Sequence, residues 1–273
     1  MKAHPAARKG PAMATIAPAR FETVPHSGER LAFLEGPGRP GGPTVVWLGG
    51  FRSDMRGTKA EVLSALAERE GLPFLRFDYS GHGESEGAFE DGTISRWTED
   101  AAAMIAARTS GPLLLVGSSM GAWIALRLGQ RLPGRIAALL LLAPAPDFTS
   151  RLLEPRLSAA QREILARDGR LEEASPYSDQ PTVYTAQLIR DGEAAGVMGG
   201  PIGLDAPVHV IQGMEDPDVP FSHALDLVAL LPSAGVTLTL VKDGDHRLSR
   251  PEDLARMEAA VTSLLADGQH GGA

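Results

Sequence analysis

Cysteine is absent from the 273 residues of this chain, and its absence excludes several kinds of chemistry. Without thiols the chain forms no disulfide, offers no thiolate ligand to a metal and has no cysteine nucleophile. The absence also fits a reducing compartment, and we expect a cytoplasmic location. Any nucleophile must therefore come from another residue type.

An excess of positive charge is also missing, since the formal net charge is −8 at pH 7. A chain with this balance has no electrostatic footprint for nucleic acid and is not attracted to an anionic membrane surface. Long apolar runs are missing too, because the longest, residues 136–143, has the length of a strand. We expect no nucleic-acid partner and no stable membrane insertion, and the pattern leaves the oligomeric state open.

The two ends of the chain contain few residues that would pack into a hydrophobic core. Residues 1–20 contain basic side chains, alanine and proline, but no acid, no serine and no apolar segment after the basic residues. A secretory signal is excluded, whereas a transit peptide would share the basic residues but would usually be rich in serine. A disordered leader is therefore favoured over residues 1–20, and a targeting role is left open. Residues 268–273 are predicted to be a disordered tail. Residues 21–267 are predicted to form one domain, large enough to bury a substantial core.

Between these ends, apolar runs typical of buried strands alternate with segments of helical periodicity. A hairpin is predicted from residues 21–25 and 31–35, and strands at 44–48, 73–77, 113–116, 137–142, 208–212 and 236–241. Helices are predicted at 59–70, 94–109, 122–131, 223–231 and 251–266. The alternation predicts an α/β fold with a mostly parallel central sheet flanked by helices on both faces.

Residues 146–200 interrupt this alternation. They contain helical pieces at 158–167 and 183–189, separated by turn-forming residues, and no convincing strand. We predict that this insertion is a small helical lid over the ends of the strands, where open α/β sheets bind their ligands.

The segment from Leu113 to Gly121 carries the strongest functional signal. An apolar strand runs into Gly-Ser-Ser-Met-Gly, which is a Gly-x-Ser-x-Gly pattern, and a helix follows at once. This context is typical of a nucleophile elbow, a tight turn whose strained serine lifts its hydroxyl above the sheet. The two glycines avoid collisions where strand and helix approach each other. Ser119 is therefore predicted to be the nucleophile.

A serine hydroxyl needs a base, and His246 is the histidine best placed to supply it. It follows the last predicted strand, so it lies on a loop at the same sheet edge as Ser119. Among the other histidines, His82 is predicted to brace a tight loop, His209 lies in a strand, and His223 is expected on a helix surface. The remaining three lie in the tails or a turn, at His4, His26 and His270.

The acid that orients the histidine should follow the preceding strand, because the chain order in this architecture is serine, acid, histidine. The loop after that strand offers Glu215, Asp216 and Asp218. Asp216 is preferred and Asp218 is the alternative. Asp245, next to the histidine in the chain, is interpreted as a solvated loop residue.

The oxyanion that forms during acyl transfer needs preorganised donors, and two backbone N–H groups are predicted to supply them. One belongs to Met120, directly after the nucleophile, and the other to Phe51, in the glycine-containing loop after the strand at 44–48. No phosphate loop, metal-ligand cluster or dinucleotide fingerprint competes with this set. We therefore predict neither a cofactor nor a metal.

Several segments resemble one subgroup of the α/β-hydrolase superfamily. They are Arg-Phe-Asp-Tyr-Ser-Gly-His-Gly-Glu-Ser at 76–85, Thr-Ile-x-x-Trp at 93–97, Val-Gly-Ser-Ser-Met-Gly-Ala-Trp at 116–123, Gly-Met-x-Asp at 213–216 and Asp-His-Arg at 245–247. The chain is similar there to the mitochondrial palmitoyl-protein thioesterases, also described as acyl-glucuronide esterases, and to their bacterial relatives. By this resemblance Ser119, Asp216 and His246 correspond to the family's catalytic triad.

The resemblance implies cofactor-free hydrolysis of acyl esters or thioesters, S-acyl groups among them, with a small molecule or an acyl-modified partner as substrate. The chain departs from the mitochondrial members at Ala122, where they have a second glycine, and through most of the lid. Two other functions stay open. An aminopeptidase of the same fold would need acids for a free amine, for which the lid offers Glu154, Glu172, Glu173 and Asp191. A non-catalytic module would use the pocket only to bind a small ligand.

Overall fold

The computed structural model describes residues 17–39, 41–175, 179–232 and 235–268. In this part of the chain the strands are β1 (Arg20–Thr23), β2 (Arg30–Gly36), β3 (Thr44–Leu48), β4 (Phe74–Phe77), β5 (Leu113–Ser118), β6 (Ile136–Leu142), β7 (Arg170–Glu173), β8 (Thr182–Thr185), β9 (Val208–Gly213) and β10 (Val236–Val241). The helices are α1 (Thr58–Glu70), α2 (Ile94–Arg108), α3 (Met120–Arg131), α4 (Ala159–Asp168), α5 (Ala186–Ala194), α6 (Phe221–Leu230) and α7 (Pro251–Gly268). Shorter helical turns lie at Phe89–Asp91, Thr149–Leu153 and Glu154–Arg156.

Eight of the strands form one sheet, in the order β1-β2-β4-β3-β5-β6-β9-β10. The hairpin of β1 and β2 is antiparallel, and so is the pairing of β2 with β4. From β4 to β10 every neighbouring pair is parallel. Parallel pairs need crossover connections, and the helices that make them cover the two faces. The predicted fold class is confirmed.

The apolar core lies on the two faces of this sheet. On one face pack α2, α3 and α6, with Trp97 and Trp123 among the largest fully buried side chains. On the other face pack α1 and α7, which bury Leu63 and Met257. The central strand β5 is buried along its whole length, because it has strands on both sides and helices on both faces. Its sequence is therefore a continuous apolar run rather than an alternation.

The lid segment, residues 146–200, differs from the prediction. It contains α4 and α5, but it also contains an antiparallel pair of strands, β7 and β8, where no strand is predicted from the sequence. The helix predicted over 183–189 is wrong for its first residues, since these belong to β8 and Thr185 caps α5. The β-branched and aromatic residues of β8 favour a strand, but the run is too short to show a period.

The bounds predicted for the leader, the domain and the tail stay predictions. Residues 1–16 and 269–273, which carry most of the predicted leader and tail, lie outside the described residues. Arg20, placed in the predicted leader, begins β1, and Gly268, placed in the predicted tail, ends α7. The bounds of the lid stay a prediction. None of the helices in the described part of the chain combines the length and the apolar character of a membrane span.

Helix α3 begins in close contact with the backbone of two strands. A Cβ on Gly121 would lie 2.0 Å from the carbonyl oxygen of Leu48 and 2.5 Å from that of Gly49. A Cβ on Gly117 would lie 2.5 Å from the carbonyl oxygen of Gly121 and 2.7 Å from the Cα of Ala122. These partners are backbone atoms, which cannot turn away as a flexible side chain would. The two glycines of the elbow are therefore required by packing.

We predict that Gly121→Ala destabilises the protein by about 2 kcal/mol or more, because the added methyl overpacks this contact. Urea unfolding, with the midpoint and the slope both measured, tests the prediction. The control is Gly199→Ala, an exposed position with no heavy atom within 4 Å of an added Cβ. Equal midpoints for the two variants would show that α3 does not need this approach.

Candidate active site

Ser119 lies at the sharp turn between β5 and α3, in a backbone conformation that non-glycine residues seldom adopt. Its φ is 53° and its ψ is −116°. Its N–H donates to the Leu142 carbonyl at 2.9 Å, and its own carbonyl accepts from Ala122 at 3.0 Å and Ala145 at 3.2 Å. These bonds and the glycine contacts hold the strained residue in place. The turn has the geometry predicted from the Gly-x-Ser-x-Gly pattern.

Three side chains far apart in the chain form one hydrogen-bonded series. The Nε2 atom of His246 lies 3.1 Å from the Oγ of Ser119. The Nδ1 atom of the same ring lies 2.8 Å from Oδ2 of Asp216. Ser119 follows β5, Asp216 follows β9 and His246 follows β10, so all three stand at the carboxyl edge of the sheet. The structure brings the three predicted residues together.

The Asp216 carboxylate is held by several donors besides the imidazole. Oδ1 accepts from the N–H groups of Asp218 and Val219, each at 2.8 Å, and Oδ2 accepts from the Gln212 amide at 3.1 Å. Burial raises the pKa of this carboxyl group, but the bonds from His246 and from the two backbone N–H groups outweigh burial and leave the pKa below 3.8. The group is therefore a carboxylate near neutral pH.

The other acids considered for this role lie in exposed positions. The side chain of Asp218, the alternative to Asp216, is exposed, and its backbone N–H supports Asp216 instead. Glu215 is also exposed. Asp245 is an exposed loop residue, as predicted, and its carboxylate accepts from the N–H of Leu248 at 2.9 Å.

The bonds on either side of the imidazole determine what it can do. A carboxylate on Nδ1 requires the proton to be on that nitrogen, which leaves the lone pair of Nε2 directed at the Ser119 hydroxyl. An imidazole in this tautomer can accept the hydroxyl proton, and a carboxylate beside it stabilises the imidazolium that results. The arrangement can therefore convert a serine hydroxyl into a nucleophile.

The two predicted oxyanion donors stand beside this serine. The loop Gly50–Phe51 comes close to it, since a Cβ on Gly50 would lie 3.4 Å from the Cβ of Ser119. Phe51 and Met120 both line the cavity into which the serine opens. Among the described residues, no hydrogen bond occupies the N–H of either one. Both groups are thus available for an acceptor in the cavity.

The remaining histidines have structural surroundings. His82 is buried in the tight loop after β4, as predicted, and His209 on β9 lies 2.9 Å from the Thr239 hydroxyl. The prediction that His223 lies on a helix surface is wrong. Its side chain is buried, and its Nε2 lies 2.9 Å from the carbonyl oxygen of Pro146. His26 lies 2.8 Å from the buried Asp100 carboxylate.

A cavity of about 690 Å³ opens above Ser119 and His246. One side is aromatic and apolar. The ring of Phe51 stacks on Tyr184 of β8 at 5.6 Å between centroids, and it also contacts Phe148 at 5.7 Å. Leucines at 152 and 153 line the same cavity. Tyr184 and Phe148 belong to the segment predicted to be the lid, so this segment forms a wall of the cavity.

The other side of the cavity is polar and lies next to His246. Lys59, in the first turn of α1, donates from Nζ to the carbonyl oxygen of Arg247. Burial, together with the nearby charge of Arg247, lowers the pKa of this ammonium to about 8. Among the described residues no carboxylate oxygen lies within 4.0 Å of its Nζ. The ammonium thus faces the cavity without an ion-pair partner in the described part of the chain.

One set of possible metal ligands occurs in the described residues, and it overlaps with the series above. It consists of Asp216, Asp218 and His246, whose ligand atoms lie within 4.8 Å of one another. The imidazole and the Asp216 carboxylate already bond to each other and to protein donors. These bonds leave few lone pairs for an ion.

Some residues of the site have no signal in the sequence. Gln212, the last residue but one of β9, donates from its side-chain amide to Asp216, but a glutamine near a strand end has many other uses. Tyr184 lies in a strand that is not predicted from the sequence. Lys59 lies in the first turn of a predicted helix, but the sequence assigns no function to its side chain. Each takes part in the site through packing between elements that are distant in sequence, and short-range patterns do not report such packing.

The comparisons with known proteins identify the family of the chain. The family model described as serine aminopeptidase, S33 (Hydrolase_4) matches residues 43–183. The chain is 30% identical over 225 residues to "Palmitoyl-protein thioesterase ABHD10, mitochondrial" from Bos taurus, covering 82% of this chain and 73% of the relative. It is 29% identical over 246 residues to the Homo sapiens protein of the same name, covering 86% of this chain and 80% of the relative.

Solved structures extend the similarity to the whole fold. A bacterial protein from Agrobacterium vitis S4 is 49% identical, with a TM-score of 0.87 over 91% of this chain and 100% of the other. Alpha/beta hydrolase domain-containing protein 10 from mouse is 26% identical, with a TM-score of 0.84 over 92% of this chain and 99% of the other. The chain therefore belongs to the α/β hydrolases of the family described as serine aminopeptidase, S33, in the subgroup of the ABHD10 palmitoyl-protein thioesterases.

Proposed function

We propose that this chain hydrolyses acyl esters and thioesters through an acyl-enzyme on Ser119, with His246 as general base and acid and Asp216 as the orienting carboxylate. The class of reaction, hydrolysis of an acyl ester or thioester by a serine hydrolase, is that of the family. The observation that carries the assignment of roles is the series Ser119 Oγ, His246 Nε2 and Nδ1, and Asp216 Oδ2, joined at 3.1 and 2.8 Å.

In the first half of the proposed reaction, Ser119 is acylated. His246 Nε2 takes the hydroxyl proton while Oγ attacks the carbonyl carbon, and the carbonyl oxygen becomes an oxyanion. The N–H groups of Phe51 and Met120 donate to this oxyanion. The imidazolium then gives its proton to the leaving alcohol or thiol, the bond to the leaving group breaks, and the acyl group remains on Oγ.

In the second half, water replaces the leaving group. His246 takes a proton from the water, the hydroxyl attacks the acyl carbon, and the oxyanion forms again at the same donors. The imidazolium returns a proton to Oγ as the acyl–oxygen bond breaks, which releases a carboxylic acid. Asp216 remains ionised throughout, consistent with a pKa held below 3.8.

The two sides of the cavity suggest how the substrate lies. The imidazolium protonates the leaving group, so the leaving group lies on the side of His246, which is the polar side with Lys59 and Arg247. The acyl chain then extends along the apolar side formed by Phe51, Phe148 and Tyr184. A substrate with an apolar acyl group and a polar leaving group fits both, and the S-acyl thioesters named for the relatives are of this kind.

Peptidase activity is less well supported, although the matching family model is described as a serine aminopeptidase. Of the four lid acids considered for a free amine, only Glu173 lines the cavity. Its carboxylate is already bonded to Arg156 at 2.6 Å and to Gln161 at 3.0 Å. A substrate ammonium would have to compete with the Arg156 guanidinium for it.

The location in the cell stays a prediction. The lack of cysteine favours the cytoplasm, whereas the curated relatives are named mitochondrial, and residues 1–16 lie outside the described part of the chain. We also infer from the charge of −8 that nucleic acid is not a partner.

The substrate class is tested with one acyl chain presented on two leaving groups, as a 4-nitrophenyl ester and as an alkyl thioester, and with an aminoacyl anilide as the peptidase substrate. We expect turnover of the ester and the thioester, and a rate at least about 100-fold lower for the anilide. Because the chain has no cysteine, released thiol can be read with a disulfide reagent without background. Faster cleavage of the anilide would favour the peptidase.

We predict that Ser119→Ala lowers turnover of esters by about 10⁴-fold or more, because the nucleophile and its base act as a unit. Intact mass after treatment with a fluorophosphonate should show one adduct on the wild type and none on the variant. Ser222→Ala, an exposed serine outside the cavity, should keep both the adduct and the rate. A wild-type protein that is folded but not labelled would favour a binding module instead.

We predict that Lys59→Met raises the melting temperature at pH 7, because a buried ammonium costs stability. The folded pKa of about 8 lies below the ordinary lysine value of 10.5, so between these two pH values the unfolded chain binds more protons than the folded protein. Stability of the wild type therefore rises with pH across this window, and the cost, at most about 3 kcal/mol, is complete below it. The gain of the variant should shrink as the pH approaches 10. The control is the exposed Lys242→Met.

A further inference from the structure

His82 connects the loop after β4 to the loop that carries Phe51. Its side chain is buried, with 3% of the residue exposed. Nδ1 lies 3.3 Å from the carbonyl oxygen of Ser80, and Nε2 lies 3.3 Å from the backbone nitrogen of Arg52. The ring therefore bridges the backbones of two loops that are separated by a helix and a strand.

The two contacts require the same neutral tautomer. A carbonyl oxygen only accepts, so Nδ1 must carry the proton, and a backbone N–H only donates, so Nε2 must present its lone pair. Burial, together with the nearby charge of Arg52, lowers the pKa of His82 to about 4, so the ring is neutral at pH 7. The lone pair is thus available to Arg52 under ordinary conditions.

The bond acts on the peptide group that follows Phe51. Arg52 has a φ of 60°, a left-handed conformation that a non-glycine residue adopts at a cost. Fixing its N–H fixes the plane of the Phe51–Arg52 peptide, and this plane limits how the preceding N–H of Phe51 can turn. The Phe51 N–H is the donor proposed for the oxyanion.

The surroundings of His82 keep the ring from moving. Edge contacts join it to Tyr79, Phe89 and Trp97, at 5.6, 5.1 and 5.1 Å between centroids. Asp78 also connects the same two loops. Its buried carboxylate accepts hydrogen bonds from the backbone N–H of Met55 at 2.6 Å and from that of Glu84 at 2.9 Å. The loop after β4 is therefore a rigid support on which the Phe51 loop rests.

We propose that His82 is a positioning residue for the oxyanion hole: its neutral Nε2 accepts from Arg52 and so directs the N–H of Phe51 at the developing oxyanion. The proposal rests on the proposed function, since it presupposes attack by Ser119. His82 does not line the cavity and does not touch the substrate. Its contribution is made through the Phe51 loop, and it should appear in the transition state rather than in substrate binding.

Three variants separate this role from simple packing. In His82→Gln, the side-chain oxygen can take the place of Nε2 and accept from Arg52. In His82→Asn, the shorter side chain reaches Ser80 but not Arg52, and in His82→Leu neither bond remains. We expect kcat to fall by roughly 10- to 100-fold in the His82→Asn and His82→Leu variants, while KM changes by less than about threefold. In His82→Gln we expect most of this kcat to be retained.

A transition-state analogue gives the decisive readout. An alkyl trifluoromethyl ketone forms a hemiketal with Ser119 in which the carbonyl oxygen becomes an oxyanion and the proton moves to His246, whereas the matching methyl ketone binds without reaction. In the His82→Asn and His82→Leu variants, the inhibition constant of the trifluoromethyl ketone should rise by the same factor by which kcat/KM falls. The constant of the methyl ketone should stay within about threefold of the wild type.

The control is His209→Leu, which removes another partly buried histidine that bonds a side chain away from the cavity. It should leave both inhibition constants unchanged. If the His82→Leu variant does not fold, the comparison of His82→Gln with His82→Asn tests the proposal. The proposal is overturned if kcat falls equally in His82→Gln and His82→Asn, or if the inhibition constants of both ketones rise together. Failure of the trifluoromethyl ketone to bind the wild-type serine would contradict the proposed function itself.

Discussion

The close approach of α3 to the ends of β3 and β5 is the constraint on which the rest of the site depends. With only hydrogen at the α-carbons of residues 117 and 121, the helix begins almost against the strand carbonyls, and the chain must turn within one residue. That residue, Ser119, takes a φ of 53° and presents its hydroxyl at the carboxyl edge of the sheet. The same edge carries the loops of Asp216 and His246, because parallel strands all end there.

The residues proposed to react are predictable from the sequence, because each has a local signature. Ser119 lies in a motif with a defined strand–turn–helix context, and the order of the chain then points to the loops after the last two core strands. Within the loop after β9 the sequence favours Asp216 over Asp218, and in the structure the Asp216 carboxylate accepts from the backbone N–H groups of residues 218 and 219. The sheet class follows from the regular alternation of strand and helix.

What could not be predicted depends on contacts between distant segments. His223 follows a serine that resembles a helix cap, yet α6 begins at Phe221 and buries the imidazole against the Pro146 carbonyl. The strands of the lid are stabilised by each other and by the leucines beneath them, not by a period of their own. Lys59 and Gln212 acquire their surroundings only when α1, β9 and the histidine loop meet.

The stacking of Phe51 on Tyr184 joins two parts of the molecule that are usually considered separately. Phe51 belongs to the loop beside Ser119, and Tyr184 belongs to the segment that forms a wall of the cavity; their rings lie within 4° of parallel. A change in this segment that moves Tyr184 therefore also disturbs the loop beside Ser119. Variants of residues 146–200 that are selected for longer or shorter acyl chains will therefore change the catalytic rate as well as the preferred chain length. The two properties separate only if the ring of Tyr184 keeps its position.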